Sequence, residues 1–83
     1  MSNVTNGSEG IVWKQNRVAK LMIKAGATSP KTAKTYNDLN IKYKRTFNNL
    51  LKKGVIIKTG DKYYLNEYVW EKFRKSFKRL FLL

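Results

Sequence analysis

The sequence predicts an α+β domain, mostly α, and three observations predict it. Apolar residues recur at helical spacing in two long stretches and one shorter one. A β-branched run and a Tyr-Tyr-Leu run flank the turn-forming segment Thr59-Gly60-Asp61-Lys62. Glycine or proline stands near most changes of period, at Gly26, Pro30, Gly54 and Gly60. The order they imply is a long helix, a turn, two short helices, a two-stranded hairpin and a last amphipathic helix.

Residues 1–8, Met-Ser-Asn-Val-Thr-Asn-Gly-Ser, are small and polar with no periodicity, so they read as a disordered tail ending at a Ser8 helix cap. Asn3-Val4-Thr5 and Asn6-Gly7-Ser8 fit the glycosylation pattern, but without a secretory signal they read as chance matches. Over residues 9–25 a scaffold helix is expected, with Ile11, Val18, Leu21, Met22 and Ala25 on its apolar face and Gly26 at its C-cap. On another face Trp13, Arg17, Lys20 and Lys24 fall at i, i+4, i+7 and i+11. That basic stripe reads as a solvated face with Trp13 folded over the core edge, in preference to a phosphate-contacting stripe.

Ala27-Thr28-Ser29-Pro30 breaks the helix, with Ser29 as a cap and Pro30 at a first helical position, so residues 30–34 read as a turn. Thr35 and Asp38 form a capping-box-like pair that starts a short helix over residues 36–39. Asn40 tolerates the left-handed conformation of the next turn, and Ile41 drops into the core. Over residues 43–54, Tyr43, Phe47, Leu50 and Leu51 make one helical stripe, and Gly54 stops the helix after Lys52 and Lys53. Val55-Ile56-Ile57 and Tyr63-Tyr64-Leu65 are then the strands of a hairpin, with Tyr64 expected inward and its neighbour Leu65 on the other face. Asn66 caps the last helix, whose apolar arc is Val69, Trp70, Phe73, Phe77, Leu80 and Phe81. Lys72, Arg74, Lys75, Lys78 and Arg79 lie opposite.

Eighty-three residues allow one small domain. The expected division is a tail at 1–8, a folded domain at 9–66, and a basic amphipathic helix at 67–83 that packs on the domain or on a partner. A formal charge of +13 exceeds what solubility requires and points to a polyanion, either nucleic acid or an anionic membrane surface. Residues 1–40 carry six basic and two acidic side chains, residues 41–83 twelve and three, so the charge concentrates around the hairpin. The sequence contains neither cysteine nor histidine, which leaves no thiolate zinc site and no disulfide framework, and fits a reducing cytoplasm. The polar N-terminus does not read as a signal peptide, and no apolar run approaches the ~20 residues of a bilayer span.

Catalysis is poorly supplied, and the chain does not read as an enzyme. Its five acids have structural assignments: Glu9 and Glu67 in first helical turns, Asp38 in a cap, Asp61 in a turn, and Glu71 paired with Lys75 at i+4. Neither a phosphate-binding glycine loop nor a metal or other cofactor site can be assembled from them. Binding is better supplied. Opposite the stripe of the 43–54 helix lie Arg45, Asn48, Asn49 and Lys52, with Lys44 and Lys53 toward the edges and Lys42 just before. Arg and Asn can make paired hydrogen bonds to guanine and adenine edges, and Lys neutralises phosphate, so this is a usable major-groove face. Two Asn in mid-helix are poor helix formers with no capping role, which favours function over a plain solvated face. Around the hairpin turn, Lys58, Thr59 and Lys62 serve equally as backbone contacts or as the lysines that blunt a sheet edge.

The succession Leu39, Ile41, Phe47, Leu50, Leu51, Gly54, Val55, Ile56 resembles the winged helix-turn-helix superfamily over residues 10–66, as a small microbial or archaeal-type regulator. The second helix is shorter than that pattern usually has. The segment from Gly26 to Thr35 also resembles part of small microbial proteins, a likeness that names no activity. The superfamily resemblance implies binding of double-stranded DNA by a transcriptional regulator or architectural factor, with the 43–54 helix in the major groove and the hairpin on the backbone. It also implies a homodimer through the last helix, by way of Trp70, Phe73, Phe77, Leu80 and Phe81. The alternative is a protein-interaction or membrane-surface module acting through that helix, whose apolar end at Leu82 and Leu83 also suits an interfacial helix or a chain continuing into an anchor.

Overall fold

The computed structural model describes residues 7–82, with side chains described for residues 10–75. α1 (Gly7–Lys24) begins two residues before the expected start, so Ser8 lies within it, and residues 1–6 of the expected tail fall outside the described residues. Its buried face is Gln15, Val18, Ala19 and Met22, spaced i, i+3, i+4 and i+7. This corrects the expected face: Val18 and Met22 belong to it, whereas Ile11, Leu21 and Ala25 are exposed. Ala19 and Gln15 carried too little hydrophobic signal to mark the stripe, and they took the positions nearest the neighbouring elements.

After α1 comes a 3-10 turn (Pro30–Thr32), capped by Ser29, whose side-chain oxygen accepts from the Thr32 N–H. α2 (Tyr36–Leu39) is capped by Thr35, whose hydroxyl accepts from the Asp38 N–H at 3.2 Å. Asn40 follows in the left-handed conformation at φ 54°, and Ile41 turns into the core. α3 (Lys44–Lys52) has no side-chain cap at Tyr43, so it is held by packing. It ends as α1 does. In each helix a glycine at positive φ, Gly26 at 78° and Gly54 at 79°, lets the chain reverse. The N–H groups of Gly26 and Ala27 bond to Ile23 and Met22 carbonyls, and those of Gly54 and Val55 bond to Leu51 and Leu50 carbonyls. Ala27 and Val55, one residue beyond each glycine, are fully buried.

The sheet has three strands where two were expected. β1 (Lys34–Thr35), β2 (Ile56–Thr59) and β3 (Lys62–Leu65) are antiparallel in the order β1-β3-β2. Residues 30–34 read as a turn because two residues cannot display a period of two; β1 exists because β3 offers it an edge. The Leu65 N–H also bonds to the Ala27 carbonyl at 2.8 Å, which ties the end of α1 to the sheet. Leu65 is fully buried and Tyr63 packs on the core, so the inward residues of β3 are these two and not Tyr64, which pairs with Ile57 on the other face. α4 (Glu67–Leu82) starts at Asn66, whose side-chain oxygen accepts from the Val69 N–H at 3.2 Å. On it Glu71 pairs with Arg74 at 3.2 Å, one residue short of the expected Lys75.

Phe47 stands at the centre of the core. Its ring meets Tyr36 of α2 edge-on at 5.0 Å and Tyr63 of β3 edge-on at 5.0 Å. It therefore joins the two short helices to the sheet, and each such aromatic pair adds about 0.5–1.5 kcal/mol beyond its burial. Phe47→Ala should cost about 3–5 kcal/mol in urea unfolding, a large share of the total stability of so small a domain. A loss below about 1 kcal/mol would show that these rings do not hold the fold.

Candidate nucleic-acid interface

α3 has two sides. Successive side chains turn by about 100°, so burial of Thr46, Phe47 and Leu50 turns Arg45, Asn48, Asn49 and Lys52 the other way, and all four are exposed. Lys44 and Lys53 flank them, also exposed, and Lys42 is exposed just before the helix. Arg45, Asn48, Asn49 and Lys52 therefore share one solvent face of α3, whereas Lys42 lies outside the helix and Lys53 is its C-cap. Among the described residues none of the seven side chains forms an ion pair or a hydrogen bond. The face is a set of unspent donors on a rigid element.

The hairpin residues divide differently from what their closeness in sequence implies. Residues directly opposite on neighbouring strands share a face of the sheet. Lys34, Tyr63 and Lys58 form one row across β1, β3 and β2, and Thr35, Lys62 and Thr59 form the next row on the other face. Lys58 is therefore on the side of Tyr63, toward Phe47 and α3, while Lys62 and Thr59 lie on the far side. Nothing in the sequence marks Lys34, because it becomes a neighbour of this cluster only through β1, whose pairing leaves no periodic signal. The loop between the strands is two residues, Gly60 and Asp61, a length that brings both rows close to the tip.

A second group of cations, also missed in part, borders the start of α3. Tyr43 meets the Trp13 ring at 5.9 Å and 67°, Lys14 Nζ lies 5.6 Å from the Tyr43 ring centre, and the Arg17 guanidinium lies 5.3 Å from that of Trp13. Trp13 remains 53% exposed.

The proposed partner face of α4 is altered. Trp70 is only 6% exposed and belongs to the core, and Phe73 is half-buried with its ring stacked on Trp70 at 6.2 Å and 29°. The expected surface includes aromatics that the domain needs for itself: Trp70 completes the core beside α1, where Asn16, Ala19, Lys20 and Ile23 are its neighbours, and Phe73 packs against that core. The side chains of Phe77, Leu80 and Phe81 lie outside the described residues. No group of three potential metal ligands occurs among the described residues, and no described helix is long and apolar enough to cross a membrane.

Compared with protein-family models, with curated proteins and with solved structures, the chain matches none.

Asn48 and Asn49 separate a binding face from a structural one. Replacing either by Ala should raise stability by about 0.5 kcal/mol, since Ala is the better helix former and no hydrogen bond is lost. Urea unfolding that showed both changes to be destabilising would assign these side chains a structural task.

Proposed function

We propose that this chain is a winged helix-turn-helix protein that binds double-stranded DNA as a regulator or architectural factor. α3 enters the major groove with Arg45, Asn48, Asn49 and Lys52, and the β2–β3 hairpin is the wing. The observation that carries the reading is the order helix, strand, helix, helix, hairpin with sheet order β1-β3-β2, which leaves the polar face of α3 uncovered beside the basic hairpin. The net charge of +13 supports it by supplying the sequence-independent part of the affinity. Lys58, on the α3 side of the sheet, serves phosphates of the groove that α3 enters, and Lys62 serves those on the far side. A homodimer remains part of the proposal only through α4 beyond Phe73.

The test is a titration of isotopically labelled protein with a random-sequence duplex at low and then moderate salt, following backbone amides. Shifts concentrated at residues 42–53 and 58–62 that fade with salt are expected. No response at low salt overturns the proposal, and shifts confined to α4 with anionic vesicles would move the function to that helix. On a sequence selected for tight binding, Arg45→Ala should cost about 1–3 kcal/mol and relax preference, whereas Lys62→Ala should weaken all sequences alike. Equal losses on every sequence for both variants would remove base reading from α3.

A further inference from the structure

We propose that Lys14 and Arg17 of α1, held on the rings of Tyr43 and Trp13, form a second phosphate-contacting patch that extends the interface of α3 onto the backbone of the same duplex. The inference rests on the DNA reading above and concerns how much of the duplex the protein covers.

Trp13 is the starting point. If it served to cover the core edge, it would be enclosed as Trp70 is; instead it is 53% exposed against 6% for Trp70. Its ring meets Tyr43 at 5.9 Å and the Arg17 guanidinium at 5.3 Å, and Tyr43 in turn carries Lys14 at 5.6 Å. The result is a row of two cations and two rings that crosses from α1 to the residue preceding α3, where Lys42 and Lys44 stand on either side of Tyr43. Neither Lys14 nor Arg17 has a carboxylate partner among the described residues.

Holding like charges together without a counter-charge opposes folding, and stacking two long side chains on rings restricts rotamers that would otherwise be free. Both costs have a function if the side chains are being set in place for an anion that arrives later, since less ordering then remains to be done on binding. Arg17 leads on to Lys20 and Lys24, which with Leu21 border an open depression of about 280 Å³, so the positive surface continues along α1. A regular row of phosphates fits such a stripe. The duplex is the favoured source of them because the patch adjoins the helix proposed to enter its groove.

The experiment compares three full-length proteins on one duplex of about 20 base pairs: the unaltered chain, Lys14→Gln/Arg17→Gln, and a control with the same charge loss placed elsewhere, Lys31→Gln/Lys75→Gln. Folding of each is checked by amide spectra, and affinity is read by anisotropy of a labelled duplex from 50 to 200 mM salt. If two phosphates are neutralised by the patch, the slope of log K against log salt falls by about 1.8 in the first variant, so over this range the unaltered chain loses roughly twelvefold more affinity than that variant. The control should keep the original slope. An unchanged slope in the first variant, or an equal fall in the control, overturns the patch while leaving the binding by α3 intact. Absence of binding by the unaltered chain instead overturns the DNA reading, and this inference with it.

Discussion

The edge-on packing of Phe47 between Tyr36 and Tyr63 is the constraint on which the other elements depend. α2 has four residues and β1 has two, and neither length is stable alone. Both become stable because one ring on α3 gives α2 and β3 a common surface, while β1 hydrogen-bonds to the strand that ring supports. The same packing fixes the rotation of α3. With Phe47 inward, Arg45, Asn48, Asn49 and Lys52 have no freedom to be anywhere but outward, so the orientation of the candidate site follows from the core.

Position along the axis is set by the two helix stops. At Gly26 and at Gly54 the chain reverses with the same pair of hydrogen bonds, and each time the residue one step beyond enters the core. The second reversal sends the chain directly into β2, and the Asn66 N–H closes the far end by bonding to the Val55 carbonyl at 2.9 Å. The hairpin is thereby anchored at its base on both strands. Its tip, where Lys58, Thr59 and Lys62 cluster, projects from a fixed root, and a two-residue loop leaves little slack.

Much of this was legible because local chemistry and tertiary structure agree. The Ser29 and Thr35 caps, the left-handed Asn40, the stop at Gly54 and the Asn66 cap are all side-chain or backbone events within three residues, and a sequence shows them directly. What was hidden depends on distant neighbours. β1 is defined by pairing with residues nearly thirty positions on, so nothing in Lys34-Thr35 announces it. Ala19 is buried only because other elements approach α1 closely there, and Leu21 is exposed although it is the more apolar. Tyr63 and Tyr64 are chemically equivalent, and only the register opposite Lys58 and Ile57 decides which one faces Phe47. For the candidate site the α3 face was readable from periodicity alone, whereas the division of the hairpin lysines between two faces required the pairing.

Electrostatics relates the site to the stability of the whole. Among the described residues a single ion pair, Glu71 with Arg74 on α4, offsets the excess of cations. It is exposed and therefore contributes little. The apolar core must hold the domain together against repulsion among its own lysines, in a protein too small to have stability to spare. A charge distribution of this kind is poorly explained by folding, because fewer lysines would fold better. It is well explained by a partner that carries dense negative charge, since such a partner relieves the repulsion when it binds and stabilises the folded chain by mass action. Under the proposed DNA reading, the same electrostatic term that weakens the free protein would supply the affinity of the complex. Under that proposal the cations on α3, the hairpin and the ring-held pair on α1 would act as one surface, and the free protein would be the less comfortable of its two states.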